Sequence, residues 1–477
     1  MFKSIKFKYF FALYVILLSF CVFNLYPSHD DWVYASPKPS MNIIAGIMPT
    51  ATFWRPFDRI IEYGLGFMPS LWPSFNHLVI LAGFFITCII LHSMLTKITH
   101  DKFHSFIGAL FFCLSPAIII TVTNPDYINQ PYAFLAGLIS LLCFFNAYYA
   151  GWLLLAFLSV LFKENGIVWF LAPVFVNIVY VYINSDKKFI RLIREKFLFI
   201  IIGLLGMITY FAVRFYLFGK GLSLGASGGR YQIIFSPIHI LKNYVLILGG
   251  AATSVDALAF FLKPRNFMIL IITFIVSVIF LGYIIACLYE IFMNDKRLFA
   301  GIIGFFVCAL YISSPYSLAG QISDAMAYEM SFMLALMLGV ILSSSCRKPK
   351  FMKLAIAAMF ASMIFVCAHK ILVMHDYTLD VHNFLQAQQS KFENIPSKAL
   401  IYFIEDIPEE GYGTYKYDMG HGLATGHAFN SLWGWKAKID VKTVKNFSDV
   451  EFSPETLPEY DTIFSLTRSG SLEILRN

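Results

Sequence analysis

Uninterrupted apolar runs constrain this chain more than any other feature. Tyr9 to Tyr26, His77 to Leu95, Phe106 to Val122 and Tyr132 to Tyr149 are such runs, and more follow. Each comes near the roughly 20 residues that a helix needs to cross a bilayer. Inside hydrocarbon every backbone N–H and C=O must be satisfied within the protein, which leaves helices or a closed barrel. A barrel strand alternates apolar and polar residues, whereas these runs are continuous. The composition agrees: 58% of 477 residues are hydrophobic and only 14% are charged, where a soluble chain keeps about a quarter charged. Mean hydropathy is +0.69. The reading is a polytopic α-helical membrane protein with about 11 transmembrane helices.

The net charge of +7 needs no nucleic-acid partner. Lys and Arg gather in short clusters between apolar runs: Lys97 and Lys102; Lys187, Lys188, Arg191, Arg194 and Lys196; Lys296-Arg297; and Arg347-Lys348-Pro349-Lys350. Clusters of this kind mark cytoplasmic loops. The eight cysteines lie in or beside apolar runs, so neither a disulfide framework nor a metal site is expected. The first run follows Lys3, Lys6 and Lys8 without a clear small-x-small cleavage site. It reads as an uncleaved first span.

Taken in order, span one is followed by a polar and aromatic stretch over 27–75. Two amphipathic pieces in it, near Asn42–Ile47 and Phe57–Phe67, are expected to lie flat on the membrane. Spans two to four are the runs from His77, Phe106 and Tyr132, with a breaker-rich loop at Thr123-Asn124-Pro125-Asp126-Tyr127. The run from Trp152 to Ile183 is too long for one span and is interrupted by Lys163-Glu164-Asn165-Gly166. Two short helices meeting at a charged turn fit it better. Span seven is Phe197 to Leu217, followed by a Gly/Ser-rich loop from Gly219 to Gly229. The segment Ile238 to Leu262, with Lys242, Gly249-Gly250 and Asp256, is placed as interfacial or re-entrant. Further spans are Met268–Tyr289, Phe299–Ile312, Ser331–Ser344 and Leu354–Met374.

With the N-terminus inside, eleven spans put every basic cluster in the cytoplasm. The first loop, the Gly/Ser-rich loop and the C-terminal tail then face outside. The chain divides into a transmembrane catalytic domain at 1–374 and a soluble external domain at 375–477. The latter reads as a small α/β unit, with a helix at Thr378–Glu393 and strands at Ala399–Ile404, Thr462–Leu466 and Leu472–Leu475.

Ionisable residues at membrane depth or at its mouth are costly, so each is a functional candidate. By this topology Asp30, Asp31, Arg55, Asp58, Arg59, Asp126, Lys163, Glu164, Arg214, Arg230, Asp324 and Glu329 all project to the external face. A carboxylate there can take the proton of a hydroxyl. Arg or Lys can hold a phosphate as it leaves. Each residue also has a structural reading. Asp30-Asp31 is the kind of pair that caps a helix. Lys163 and Glu164 can pair across a helical break, and Arg55 and Arg214 can snorkel. His77 and His92 can bond between helices. Gly420-His421-Gly422 and Gly426-His427 fit no standard zinc spacing and read as a glycine-rich turn.

The order of these features resembles the multi-spanning glycosyltransferase C superfamily, which includes protein O-mannosyltransferases and lipid A aminoarabinose transferases. The matching residues are Asp30-Asp31 after span one, Trp54-Arg55-Pro56-Phe57 in the first loop, and Asn76-His77-Leu78 opening span two with His92 near its end. Lys163-Glu164-Asn165-Gly166 matches a KE-x-G turn, and Arg214 resembles an arginine closing a later span. The resemblance covers the first 220 or so residues. Beyond it, Tyr328-Glu329 stands where relatives often have Glu-Arg-x-x-Tyr, and the C-terminal domain shows no tetratricopeptide pattern. The resemblance implies an inverting transferase using a polyprenyl-phosphate sugar, with no obligatory metal or other cofactor. Asp31 or Asp30 would be the general base, Asp31 preferred. Arg55, Lys163, Glu164, Arg214 and His77 would bind substrate.

The expected setting is a bacterial inner membrane with the active site on the periplasmic side. The expected acceptor is a surface glycan such as an O-antigen or lipopolysaccharide. A transporter or flippase of a lipid-linked saccharide is the alternative. Transporters often repeat a broken helix in matching halves, whereas this sequence has one broken pair and no visible repeat. An O-antigen polymerase or ligase would carry its long loop late in the chain, not first.

Overall fold

The computed structural model describes residues 4–23, 25–26, 54–66, 74–218, 234–255, 267–320, 324–344, 350–388, 398–404, 423, 429–430, 438–444, 460–467 and 471–476. Helix accounts for 81% of them. Among the described residues, four helices are long and apolar enough to cross a membrane: Asn76–Thr99, Phe189–Leu217, Met268–Asn294 and Lys353–Gln388. A fifth crossing is added if the pair Glu164–Phe170 and Ala172–Asn184, bent by 43°, forms one span. Shorter apolar helices, among them Asn129–Phe145, Tyr149–Phe162 and Tyr328–Ser344, pack between them.

The long helices turn much apolar surface outward. Leu198, Leu205 and Ile208 of one, and Ile272, Phe274 and Ile275 of another, are more than half exposed. In water such a belt would be an aggregation surface; against lipid it is the natural outer face. The multi-pass membrane character therefore holds at the level of surface chemistry as well as length.

The run expected as one span from Phe106 to Val122 is two helices, α4 (Lys102–Cys113) and α5 (Ile119–Thr123). Here α1 is Ser4–Val22, α2 is Pro56–Gly66 and α3 is Ser74–Thr99. Pro116 lies in the gap, and proline supplies no N–H while its ring clashes with the preceding turn. Carbonyls freed by the break find donors on another helix: Lys370 Nζ reaches Pro116 O at 2.8 Å, and Cys367 Sγ reaches Leu114 O at 3.4 Å. Lys370 is only 1% exposed. A buried lysine in an apolar run thus caps a proline break 254 positions away.

The chain also breaks at the Lys-Glu-x-Gly turn. Helices α6 (Asn129–Phe145) and α7 (Tyr149–Phe162) form a hairpin, and α7 ends where Lys163 becomes extended at φ −157°, ψ 138°. A 3₁₀ turn, Glu164–Phe170, leads into α8 (Ala172–Asn184) and then α9 (Phe189–Phe218). Next are α10 (Pro237–Ala252), α11 (Phe267–Asn294), α12 (Lys296–Ile312), the short α13 (Ser314–Ser317), α14 (Tyr328–Ser344) and α15 (Lys350–Gln388). Close approach of α4 and α14 rests on glycine. A Cβ on Gly108 would lie 2.8 Å from Ala335 O and 3.1 Å from the Gly339 Cα, the small-residue contact usual between membrane helices.

The boundary read at 374/375 falls inside α15, which runs through it without interruption. No Gly or Pro occurs from 350 to 388 to stop the helix. Its C-terminal end supplies Tyr377, Val381 and Leu385, one apolar stripe, to the core of a four-stranded sheet. The sheet is β1 (Lys398–Ile404), β2 (Lys438–Val444), β3 (Thr462–Thr467) and β4 (Leu472–Arg476), in order β2-β1-β3-β4. Strand β1 runs parallel to β2 and β3, and β4 is antiparallel to β3. β2 was not anticipated. Its Ile439 and Val441 are buried while Lys438 and Lys442 are exposed, so it is a half-buried edge strand with a polar outer face.

Candidate functional site

Basic and polar ends of the bundle are distinct. Arg297, at the start of α12, donates through Nε to Tyr182 O (2.6 Å) and through Nη2 to Lys187 O (2.9 Å). Its guanidinium lies over the Tyr182 ring, 4.9 Å from the centroid. The basic segments at 187–196 and 296–297 therefore share one end. Arg191 and Arg214 lie on the same helix, so at 1.5 Å per residue they are about 35 Å apart. Arg214 marks the opposite end, and the charged motifs gather there.

Arg55 precedes α2. It donates Nε to Glu164 Oε2 at 2.8 Å, and its Nη2 lies 2.8 Å from the same oxygen. Both side chains are 18% exposed, so the pair is largely withdrawn from water but open on one side. The neighbouring Trp54 stacks on Tyr210, with centroids 6.2 Å apart and planes 10° apart. The Tyr210 hydroxyl accepts from Arg214 Nη1 at 3.4 Å. Phe57 lies on Phe162, the last residue of α7. The Trp-Arg-Pro-Phe segment thus touches both the Lys-Glu-x-Gly turn and the end of α9. Arg214 does not snorkel to the surface; it is 8% exposed.

The turn is shaped by its glycine. A Cβ on Gly166 would sit 2.5 Å from Ser159 C and 2.6 Å from Ser159 O. Backbone cannot give way at that distance, so the position takes glycine alone. Ser159 is itself fixed by donating to Ala133 O at 2.7 Å.

Behind the turn is a polar cluster sealed from water. Glu329, in the first turn of α14, is 1% exposed. Its Oε1 accepts from Asn165 Nδ2 (2.8 Å), from the Tyr316 hydroxyl (3.1 Å) and from Gln130 Nε2. Asn165 Nδ2 also reaches the Tyr316 hydroxyl at 2.5 Å. Lys163 is within electrostatic reach of Glu329. Four separate segments, α6, the 3₁₀ turn, α13 and α14, each contribute one side chain.

Helix α2 adds further acids. It turns Asp58 and Glu62 inward, at 8% and 3% exposure, and leaves Ile60 outside. Asn129 Nδ2 donates to Asp58 Oδ2 at 3.3 Å, and Glu62 pairs with Arg59. Leu65 of α2 packs with Ile80 and Ile128. The helix is docked by both its apolar and its acidic residues.

The other sequence candidates are placed as follows. Asp30 and Asp31 lie outside the described residues, as do Arg230, Asp256, His421, His427, the Asn42–Ile47 piece and the side chains of Asp126 and Asp324. His77, at the start of α3, lies against the backbone carbonyls of Thr123 and Leu25, at the root of the loop that carries the two acids. His92 is buried edge-on to Phe11. It sits towards the far end of α3, away from the cluster. Arg55, Glu164 and Arg214 come together through Trp54 and Tyr210, and Lys163 is next to them in the chain.

Sequence reasoning passed over Gln130, Tyr316, Glu62 and Lys370, and it left Glu329 without a role. The available signal was chemical. Gln130 and Asn129 open an apolar helix, and Lys370 interrupts one, where polar groups are costly unless partnered. No protein family, curated protein or solved structure matches this chain.

Proposed function

We propose that the chain is an inverting membrane glycosyltransferase. It transfers a sugar from a polyprenyl-phosphate donor to a hydroxyl of a surface glycan such as an O-antigen or lipopolysaccharide. The setting we propose is the outer, periplasmic face of a bacterial inner membrane, with eleven crossings and the C-terminal domain outside. The observation that carries the reading is the junction of motifs. Arg55 and Trp54 from the first-loop motif, Glu164 from the Lys-Glu-x-Gly turn, and Tyr210 with Arg214 from the end of α9 form one cluster. These are the segments on which the resemblance to the glycosyltransferase C superfamily rests. A transferase of this kind needs a base and a cationic phosphate holder side by side.

In the proposed reaction Asp31, or Asp30, takes the proton of the acceptor hydroxyl. That oxygen bonds to the anomeric carbon from the face opposite the phosphate. The bond between carbon and phosphate oxygen breaks, and the electron pair leaves on the lipid phosphate. Arg55, Lys163 and Arg214 stabilise the charge gathering there. The test replaces Asp30 and Asp31 separately with Asn and scores surface-glycan composition at matched membrane levels. Loss in at least one variant is expected. Full activity in both would remove the base assignment.

One observation favours the other reading. The bend of 43° between Glu164–Phe170 and Ala172–Asn184 is a broken helix, which transporters use at their binding sites. Proteoliposomes separate the two. A flippase moves labelled polyprenyl-phosphate sugar between leaflets and leaves it intact, whereas the transferase consumes it.

A further inference from the structure

Buried oxygens in the cluster around Glu329 accept nothing. Glu329 Oε2, Asn165 Oδ1, Gln130 Oε1 and the neighbouring Glu164 Oε1 are each buried without a hydrogen-bond partner among the described residues. Gln130 is 0% exposed and Asn165 8%. Native interiors leave few such atoms, because a buried acceptor without a donor has lost its water for nothing. The donors of this cluster are turned to two atoms: the amide groups of Gln130 and Asn165 and the Tyr316 hydroxyl all point at Glu329 Oε1, and Asn165 Nδ2 also reaches the Tyr316 hydroxyl. What remains is a set of acceptors, and the partner they lack is one rich in donors.

We propose that Glu329, Asn165 and Gln130 form a saccharide subsite that accepts hydrogen bonds from the hydroxyls of the transferred sugar. The assignment rests on the glycosyltransferase reading and extends it to the sugar-recognising residues. A neutral polyol suits the site better than a cation. Two of the four acceptors are neutral amides, and several hydroxyls on one ring can serve several oxygens together. The subsite is next to the phosphate-holding groups in the chain: Asn165 follows Glu164, the partner of Arg55. A donor with its phosphate at Arg55 would extend its sugar inward, toward Glu329, and the cluster, closed to water in this structure, would open to admit the ring.

Glu329→Gln separates this role from a structural one. Its side-chain oxygen must still face the Gln130 and Asn165 amides, so the network persists. The other atom changes from an acceptor to a donor. Tyr316→Phe is the complement: it removes two bonds of the network and leaves the four acceptors in place. The experiment uses the full chain in nanodiscs and compares farnesyl phosphate glucose with bare farnesyl phosphate.

The native protein should bind the glycosylated lipid at least about tenfold more tightly, the usual scale for a satisfied polar group. Glu329→Gln should bring the ratio near one with bare-lipid affinity unchanged, and Tyr316→Phe should keep the preference. A preference that survives Glu329→Gln, or falls equally in both variants, overturns the subsite. So does equal affinity for the two lipids in the native protein. If neither lipid binds, the donor reading fails, and thermal stabilisation by free glucose and by sodium chloride decides the subsite. Glucose stabilisation lost in Glu329→Gln retains it. Sodium stabilisation lost in that variant, or no effect of either, overturns it.

Discussion

Arg55 and Glu164 show what a single pairing decides. A charge-assisted contact at 18% exposure on both sides is neither a surface bridge of little worth nor a fully buried pair. Removing one partner strands the other in a half-dry site, so single losses should be large and their combination less than additive. A double-mutant cycle with Arg55→Met and Glu164→Gln should give a coupling of about 1 kcal/mol or more in thermal unfolding. Additive single effects would show that the pair carries no stability. Gly166 is a second residue-scale case. With Ser159 backbone at 2.5 Å from a virtual Cβ, Gly166→Ala must displace the turn. The cost expected is roughly 1–3 kcal/mol, read as a lower unfolding midpoint, with loss of the proposed transfer activity out of proportion to the protein remaining in the membrane.

Helix ends carry the element-scale arguments. Asp101 caps α4: its Oδ1 accepts from Phe103 N at 2.9 Å and His104 N at 3.2 Å, and its Oδ2 lies 2.5 Å from His104 Nδ1. Partial burial pushes this carboxyl up. The His104 ring and the two amides pull it down further, and the net position is below the ordinary 3.8. A depressed carboxyl stabilises the fold above its unfolded value, and the contribution is lost as pH falls through the folded value. Asp101→Ala should therefore cost about 1 kcal/mol at neutral pH, with the gap from the native chain closing as pH drops below 3.8. A gap that stays constant on acidification would assign the effect to packing. The Pro116 break has the same logic without titration. Lys370→Met keeps the length and removes the donor to Pro116 O, and it should lower the unfolding midpoint.

At the scale of the whole molecule, the two ends of α9 are chemically unlike. Lys187, Arg191 and Glu195 form a water-facing ion network at one end, and Arg214 is buried with Tyr210 at the other. The C-terminal part of α15 continues into the sheet domain and holds the C-terminal end of α1. Tyr26 stacks on His382 at 3.9 Å, and its N–H donates to Thr378 Oγ1 at 3.3 Å. Single cysteines at Gln386 and Lys188 should label from opposite sides of intact cells, the first from outside. Labelling of both from one side would reverse or break the proposed topology.

Hydropathy and periodicity alone determined the helical membrane class, the break at Lys163, three of the four strands and the charge asymmetry. These follow from what surrounds the backbone, and a window of neighbouring residues already contains that information. The 3₁₀ turn's glycine and the Trp-Arg-Pro-Phe segment were legible as motifs, but their physical reasons were not. Only the tertiary structure decided that Glu164 pairs with Arg55 across 109 positions, that Gln130 meets Glu329 across 199, and that Lys370 serves Pro116 across 254. Buried polar groups take whichever donor or acceptor the packed helices bring within about 3 Å, and that choice is made by non-local packing. The same packing left Glu329, Asn165, Gln130 and the neighbouring Glu164 each with a buried acceptor that meets no donor among the described residues, a feature no local pattern in the chain encodes.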